Sequence, residues 1–279
     1  MRLSTVRLQD GGTAAARREG EEYVLLPFSD VGTLLGCGDW ASRAAAVGGP
    51  RVPASDSDLL TLVPHPNKIV CLGLNYASHI AEMGRPTPAY PTLFAKYDAA
   101  LIGDGAGIEM PSVSEQLDWE AELGVVIGSP GRDIDVGRAL DHVAGYTVVN
   151  DVTVRDWQHR TREFLSGKTF EATTPVGPSL VTPDELPSGA TGLEIGCSVD
   201  GVMMQQSNTA DLLFDVAHTI AYISQIITLV PGDLIATGTP GGVGAGRDPQ
   251  VFLGAGQELR TWVEGVGHLH NPVVRRSVL

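Results

Sequence analysis

The sequence predicts a mixed, β-rich α+β fold, with a small amino-terminal α+β domain ahead of a larger one. Short stretches of alternating or β-branched apolar residues recur between turn signals, which is typical of strands. One segment, residues 209–229, has apolar residues at steps of three and four and predicts the best helix of the chain. A proline-rich stretch, residues 50–66, favours a surface linker, so we expect domains over residues 1–63 and 64–279.

The composition is that of a globular protein and argues against some partners. The chain has 279 residues, 43% of them hydrophobic, enough for a sizeable core. Its formal net charge of -14 disfavours nucleic acid and anionic membrane surfaces, which bind basic faces. The three cysteines lie far apart, so we expect neither a disulfide framework nor a zinc knuckle. The first residues lack the apolar core of a signal peptide, and we expect a cytoplasmic protein.

The amino-terminal domain is predicted from hairpin and helix signals. Asp10-Gly11-Gly12 is typical of a hairpin turn. The segments predicted around and after it, three strands and two short helices, are Leu3–Leu8, Thr13–Arg18, Glu21–Pro27, Val31–Leu35 and Trp40–Val47. No catalytic cluster occurs in this part of the sequence, so we expect the chemistry in the larger domain.

The larger domain opens with a predicted buried strand, Lys68–Leu74, and a short helix capped by Ser78. His79 and Glu82 are three residues apart, which places them on one face of a helical turn. A carboxylate beside an imidazole fixes its tautomer, as in a prepared general base; a surface ion pair is the alternative. Three prolines within residues 85–92 indicate a mobile or solvent-facing segment, which would let this turn close over a substrate.

An acidic strand, Asp118–Ile127, is the centre of the predicted site. Side chains two apart leave a strand from the same face, so we expect Asp118, Glu120 and Glu122 to line up on a half-buried strand. Neighbouring carboxylates repel one another when they lose water, and a divalent cation such as Mg2+ or Mn2+ removes that repulsion. An edge strand with its acids in water is the alternative.

The next predicted strand, Val143–Val149, ends in Asn150-Asp151. If the two strands are neighbours, Asp151 reaches Glu120 and Glu122 and completes a three-carboxylate cation site. Asp is also common in turns at strand ends, which is the alternative explanation.

A basic cluster follows in an otherwise acidic chain: Arg155, Arg160, Arg162 and Lys168. Such a local reversal of charge suits an anionic substrate beside a metal, and a solvated helix face is the alternative. The segment is not a P-loop, because Arg162 replaces the glycine required five positions before Gly167. We therefore interpret Lys168 as a single charge directed at the site.

The remaining elements lead to a glycine-rich loop. In order, they are a strand at Leu193–Val199, a hairpin partner at Val202–Gln206, the helix over 209–229 capped by Thr209, strands at Leu234–Thr237 and Gln257–Glu264, and a peripheral tail from Asn271. Gly238 and Thr239 begin the loop, whose free amides could hold a carboxylate or enolate oxygen. A purely structural turn is the alternative.

Over residues 68 to 270 these motifs closely resemble, in order, the fumarylacetoacetate hydrolase family. The stretches that carry the resemblance are Gly73-Leu74-Asn75-Tyr76 with His79 and Glu82, Asp118-x-Glu120-x-Glu122, Asn150-Asp151-Val-Thr-x-Arg155-x-x-Gln158, Lys168-Thr-Phe, Pro175-x-Gly177-Pro178 and Pro231-Gly232-Asp233 through Gly244. The leading residues resemble, more loosely, the small amino-terminal domain of the family's longer bacterial members. The resemblance implies a β-sandwich and roll catalytic domain in a homodimer.

The resemblance also implies the metal site. It places Mg2+ or Mn2+ at Glu120, Glu122 and Asp151, with Ca2+ as a substitute in crystals. Asp118 fits the motif but is not usually a ligand in the family. One departure is Glu171, which lies where many members have Asp.

For the chemistry, the resemblance implies that His79 and Glu82 form a water-activating dyad on a lid. Lys168 would stabilise a developing enolate. Ser179 stands where a bulky residue such as Trp is common, which leaves the substrate open.

We therefore expect a metal-dependent hydrolase that cleaves a carbon-carbon bond in a 2,4-dioxo acid, giving pyruvate and a carboxylic acid. Such an acylpyruvase would belong to aromatic compound catabolism. The residues expected to bind the small anionic oxo-acid are Arg155, Gln158, Gly238 and Thr239. The alternative is a decarboxylase or isomerase of a related oxo-diacid, of the oxaloacetate or 2-hydroxyhepta-2,4-diene-1,7-dioate type. A metal- and carboxylate-binding protein without catalysis is a third hypothesis, which the His79 and Glu82 pair argues against.

Overall fold

The computed structural model describes residues 1–46, 48–82, 84 and 86–276, and its elements confirm the mixed, β-rich α+β fold. The strands are β1 (Arg2–Arg7), β2 (Thr13–Glu19), β3 (Glu22–Leu25), β4 (Arg51–Pro53), β5 (Ile69–Gly73), β6 (Thr92–Ala95), β7 (Leu101–Ile102), β8 (Ile108–Met110), β9 (Leu117–Asp118), β10 (Ala121–Ile127), β11 (Val143–Asn150), β12 (Thr153–Val154), β13 (Thr174–Val181), β14 (Glu194–Val199), β15 (Val202–Asn208), β16 (Leu234–Ala236), β17 (Glu258–Val263) and β18 (Gly267–Arg275). The α-helices are α1 (Val31–Leu35), α2 (Trp40–Ala46), α3 (Ala77–Glu82), α4 (Arg155–Gln158), α5 (Leu165–Lys168) and α6 (Val216–Ile226). Val47, Arg85 and residues 277–279, which belong to three of the predicted segments, lie outside the described residues.

The large sheet has 11 strands in the order β4-β3-β2-β1-β13-β11-β10-β16-β5-β6, with β7 beside β13. The amino-terminal strands join it through β1, whose Leu3 lies opposite Leu180 of β13. Strands β1 to β4 therefore extend the same sheet that carries the acidic strand β10. The domain boundary at residue 63 stays a prediction.

A second, five-stranded sheet, β15-β14-β17-β18-β8, packs over one face of the large sheet. The main core lies between the two sheets and includes Leu123, Val148 and Ile195. A smaller core lies on the other face of the large sheet and includes Leu34 of α1 and Val126 of β10. The strand β10 is thus buried on both faces, although the alternating pattern of its sequence predicted a half-buried strand.

The helix predicted over 209–229 is shorter in the structure. Helix α6 spans Val216–Ile226 and is capped by Asp215, whose side chain accepts from the His218 amide; Thr209 lies in a separate 3-10 turn. Leu213 and Phe214 are held out of the helix because their amides donate to the backbone and side chain of Asn75. These long-range hydrogen bonds override the helical periodicity of the segment.

Two segments predicted to be peripheral belong to the sheets. Within the proline-rich stretch, β4 pairs with β3. Residues 271–275 of the predicted tail belong to β18, which pairs with β17 and β8. Asn271 is buried, and its side-chain amide donates to the carbonyls of Gly103 and Ala106. No helix in the described parts of the chain combines the length and apolar character that crossing a membrane requires.

Candidate functional site

The acidic segment is broken rather than one continuous strand. Asp118 belongs to β9 and lies opposite Thr153 of β12, whereas β10 begins only at Ala121. The expectation that Asp118, Glu120 and Glu122 share one strand face is therefore wrong. The break lets Asp118 turn toward other partners while Glu120 and Glu122 remain together.

Glu120, Glu122 and Asp151 come together as the sequence predicts. Strands β10 and β11 are antiparallel neighbours, with Ala121 opposite Asn150. This pairing brings the start of β10 and the end of β11 to the same edge, where the Asp151 amide donates to the Glu120 carbonyl at 2.9 Å. One oxygen from each of the three carboxylates lies within 4.8 Å of the others, and all three residues are buried.

Two lysines neutralise part of the negative charge of the three carboxylates, and a backbone amide donates to one of them. The Lys168 ammonium lies 2.6 Å from Glu120 Oε2 and 2.8 Å from Asp151 Oδ2, and the Lys96 ammonium lies 2.5 Å from Asp151 Oδ1. Glu122 Oε2 accepts the Gly238 amide at 2.8 Å. Within the described residues, Glu122 Oε1 is buried without a hydrogen-bond partner. An unsatisfied carboxylate oxygen among buried acids fits a hard divalent cation, which takes oxygen ligands.

The pKa values of these groups reflect burial and charge. Burial, together with the neighbouring Asp151 and Glu120 carboxylates, raises the pKa of Glu122 well above its ordinary value. Burial also acts to raise the pKa of Asp151, but the Lys168 and Lys96 ammonium groups outweigh it and lower that pKa. Glu122 is therefore the member of the cluster that most needs an added positive charge.

Asp118 binds Arg155 and the glycine-rich loop. The Arg155 Nε donates to Asp118 Oδ2 at 2.7 Å, and the amides of Gly244 and Ala245 donate to the same carboxylate at 2.7 and 3.0 Å. Arg155 Nη2 also lies 2.7 Å from Glu120 Oε1, an ion pair outside hydrogen-bonding geometry. Arg155 thus lies in the site but is already paired with two carboxylates.

The predicted dyad forms on α3. His79 Nδ1 lies 3.1 Å from Glu82 Oε2, and the Gly242 amide donates to both Glu82 oxygens at 3.2 Å. Ser78 does not cap the helix as predicted. It lies inside the helix, and its amide and hydroxyl donate to Asp211 Oδ2 at 3.0 and 2.5 Å. That long-range contact competes with a capping role.

A cavity of about 220 Å³ is lined by His79 of the dyad and by Glu120 of the carboxylate cluster. The predicted site residues on its wall are His79, Glu120, Arg155, Gln158, Lys168 and Thr239. Its remaining lining residues are Leu72, Gly73, Leu74, Phe94, His159 and Phe164. Arg160 and Arg162 are exposed, so only part of the predicted basic cluster belongs to the site. The Gly238 amide is used by Glu122, and substrate binding by Gly238 and Thr239 stays a prediction.

Lys96 is a site residue that the sequence reasoning missed. It follows strand β6 directly and is buried. A compositional signal was available, because the chain has only three lysines and each pairs with a buried carboxylate in the structure. In an arginine-rich chain with so few lysines, each of them was worth considering as a site residue.

Comparison with known proteins agrees with this arrangement. The family described as fumarylacetoacetate (FAA) hydrolase C-terminal matches residues 68–274. The chain is 44% identical over 234 residues to the mitochondrial oxaloacetate tautomerase FAHD2B of Bos taurus, covering 83% of this chain and 74% of that protein.

Solved structures show the same fold. The fumarylacetoacetate hydrolase of Exiguobacterium antarcticum matches with a TM-score of 0.89 at 34% identity, over 99% of this chain and 100% of that one. The 2-hydroxyhepta-2,4-diene-1,7-dioate isomerase of Mycobacterium marinum matches with a TM-score of 0.81 at 31% identity, over 100% of both chains. The resemblance drawn from the motifs is confirmed, and the chain belongs to the fumarylacetoacetate hydrolase family.

Proposed function

We propose that this protein is a divalent-metal-dependent enzyme that interconverts the keto and enol forms of a small 2-oxo diacid such as oxaloacetate. The observation that carries the proposal is that His79, Lys168 and Glu120, a member of the carboxylate cluster, line one small cavity. The name of the bovine relative, an oxaloacetate tautomerase, supports the substrate class. The proposal thus favours the isomerase, which the sequence offered as the alternative, over the hydrolase that it predicted first.

A divalent cation fits the cluster because Glu122 Oε1 is buried without a partner in the described structure. Glu120, Glu122 and Asp151 would hold it, and hard cations such as Mg2+ or Mn2+ take such ligands together with substrate oxygens. When bound, the cation supplies positive charge where the 2-oxo acid becomes an enolate.

His79 is the proposed proton-transfer group. Its Nδ1 faces Glu82, so Nε2 is the ring nitrogen left for the substrate. In tautomerisation His79 takes a proton from the carbon beside the carbonyl and returns one to the oxygen, and no carbon-carbon bond breaks. Glu82 and the Gly242 amide hold the imidazole in place.

Lys168 holds the negative charge that develops on oxygen. Its ammonium is buried between Glu120 and Asp151 and lies 4.9 Å from the centre of the Phe94 ring. Phe94 packs edge-on against Phe164, with 5.7 Å between ring centres. This apolar wall excludes water from the reacting oxygen and strengthens the charge interaction.

The second candidate is hydrolysis of a 2,4-dioxo acid, and the His79 and Glu82 pair favours it. A histidine oriented by a carboxylate can take a proton from water. The resulting hydroxide attacks the distal carbonyl, the carbon-carbon bond breaks, and the products are a carboxylic acid and the enolate of pyruvate, which is then protonated. Decarboxylation of oxaloacetate would pass through the same enolate with loss of carbon dioxide.

The location in the cytoplasm and the homodimer that the sequence led us to expect both stay predictions.

One assay panel separates these reactions. Protein stripped with a chelator and reloaded with Mg2+ or Mn2+ is given enol-oxaloacetate or an acylpyruvate, while ultraviolet absorbance and pyruvate are followed. Faster loss of the enol band without pyruvate supports the proposal. Pyruvate from the acylpyruvate supports the hydrolase, and pyruvate from oxaloacetate supports the decarboxylase. If no substrate reacts, all three proposed reactions are refuted, and the hypothesis of a metal-binding protein without catalysis remains.

A further inference from the structure

Each carboxylate of the cluster has one oxygen held by a nitrogen that is not Lys168. Lys96 binds Asp151 Oδ1 at 2.5 Å, and Arg155 Nη2 lies 2.7 Å from Glu120 Oε1. The third such oxygen, Glu122 Oε2, accepts the Gly238 amide at 2.8 Å. The three nitrogens belong to different parts of the chain: one follows β6, one lies on α4 and one is in the glycine-rich loop.

The three carboxylates lie close together, since one oxygen of each lies within 4.8 Å of the others. Lys168 touches both Glu120 Oε2 and Asp151 Oδ2, at 2.6 and 2.8 Å, so these two oxygens lie on the same side. The third, Glu122 Oε1, is buried and has no partner among the residues that the structure describes. Apart from their contacts with Lys168, one oxygen per carboxylate remains for a cation.

Lys96 is the donor in this set that has no other role in the proposed reaction. Besides Asp151, its ammonium also contacts the Val152 carbonyl, at 3.3 Å. Its side chain is 1% exposed, so its contact with Asp151 is shielded from solvent. A buried donor of this kind restricts how a carboxylate can turn.

The number of oxygens that each carboxylate offers distinguishes the two common divalent cations of cells. Mg2+ demands a near-octahedral set of six ligands, and it suits carboxylates that give one oxygen each. Ca2+ takes six to eight oxygens and is favoured by bidentate carboxylates. We infer that Lys96 is a specificity-determining residue that limits Asp151 to one oxygen and so favours Mg2+ over Ca2+. The inference rests on the cation site of the proposed function, but it does not depend on which reaction the site performs.

The test is calorimetric titration of metal-free protein with Mg2+ and with Ca2+, without substrate. Wild type is expected to bind Mg2+ more tightly than Ca2+. Lys96→Met frees Asp151 Oδ1, so we expect the Ca2+ to Mg2+ affinity ratio to rise about ten- to a hundredfold. Lys96→Arg keeps a charged donor and is expected to keep the wild-type preference. Lys68→Met is the matched control, because Lys68 pairs with the buried Asp233 at 2.8 Å outside the site, and it should leave the ratio unchanged.

The ratio separates a positional role from a charge effect. If Lys96 acted only as a positive charge, Lys96→Met would strengthen the binding of both ions equally. An unchanged ratio in a folded Lys96→Met protein, checked by circular dichroism, would overturn the inference. Tighter binding of Ca2+ than of Mg2+ by wild type would overturn it without any variant, even if Lys96→Met fails to fold. Because no turnover is measured, an inactive protein that shows the expected ratios refutes the proposed function and leaves this inference standing.

Discussion

The Arg155 guanidinium donates to the Asp118 carboxylate across 2.7 Å in the protein interior. Asp118 also accepts the amides of Gly244 and Ala245, so it is a fixed negative charge that joins the glycine-rich loop to Arg155. This contact explains why the first acid of the Asp-x-Glu-x-Glu motif lies apart from the carboxylate cluster. It binds the arginine that in turn pairs with Glu120.

Replacing Asp118 with Asn is expected to destabilise the protein. The amide removes a buried negative charge and places an NH2 group among N–H donors. Breaking a buried ion pair by removing one partner costs about 3–5 kcal/mol, and urea denaturation would measure it. The matched control is Asp141→Asn, because Asp141 pairs with Arg138 at 2.6 Å on the surface. Asp141→Asn should barely change the urea concentration at the unfolding midpoint. An equally small effect of Asp118→Asn would contradict the stabilising role of Asp118.

Replacing His79 with Gln should reduce turnover by about 10²- to 10⁴-fold, the usual contribution of a general base. Mn2+ affinity should not change, because His79 binds Glu82 rather than a cluster carboxylate. Steady-state kinetics and a Mn2+ titration measure the two effects. His65→Gln is the control, since His65 also faces a carboxylate, Asp98, at 2.8 Å but is 86% exposed. Full activity of the His79 variant would remove it from the mechanism.

The raised pKa of Glu122 predicts how the metal-free protein responds to pH. Above about pH 4.3, the ordinary pKa of a glutamic acid, the unfolded chain has released this proton while the folded protein still holds it. The contribution of Glu122 to the unfolding free energy is therefore complete at low pH and is lost as pH rises toward the folded pKa. Glu122→Gln cannot ionise, so we expect its stability relative to wild type to increase with pH.

Urea denaturation in chelator at several pH values measures this difference. The exposed Glu171, which pairs with Arg276 at 2.7 Å, provides the control variant Glu171→Gln. A constant difference between Glu122→Gln and wild type across pH would show that Glu122 is ionised in the metal-free protein.

Local patterns predicted most of the site. Strand periodicity put Glu120 and Glu122 on one face, and Asp151 was expected to join them if the two strands are neighbours; β10 and β11 do pair antiparallel. The His79 and Glu82 contact follows from helical geometry alone. These predictions needed only short-range periodicity and one strand pairing.

Long-range contacts could not be predicted in the same way. Leu213 and Phe214 lie in a segment with a helical pattern, but Asn75 holds them out of the helix. Lys96 directly follows β6, which lies at one end of the large sheet, and no spacing along the chain indicates its contact with Asp151. Strand β13 contains Pro175, Gly177 and Pro178, which mask its strand character in the sequence.

The central claim is that Glu120, Glu122 and Asp151 together hold a divalent cation. Its most direct test is titration of chelator-treated wild type with Mn2+, followed by the electron paramagnetic resonance signal of the free ion. The account predicts one bound ion per chain in wild type and much weaker binding by Asp151→Asn and Glu122→Gln, with Glu171→Gln unchanged. A wild-type protein that binds no Mn2+, or ligand variants that bind it as tightly as wild type, would contradict the account.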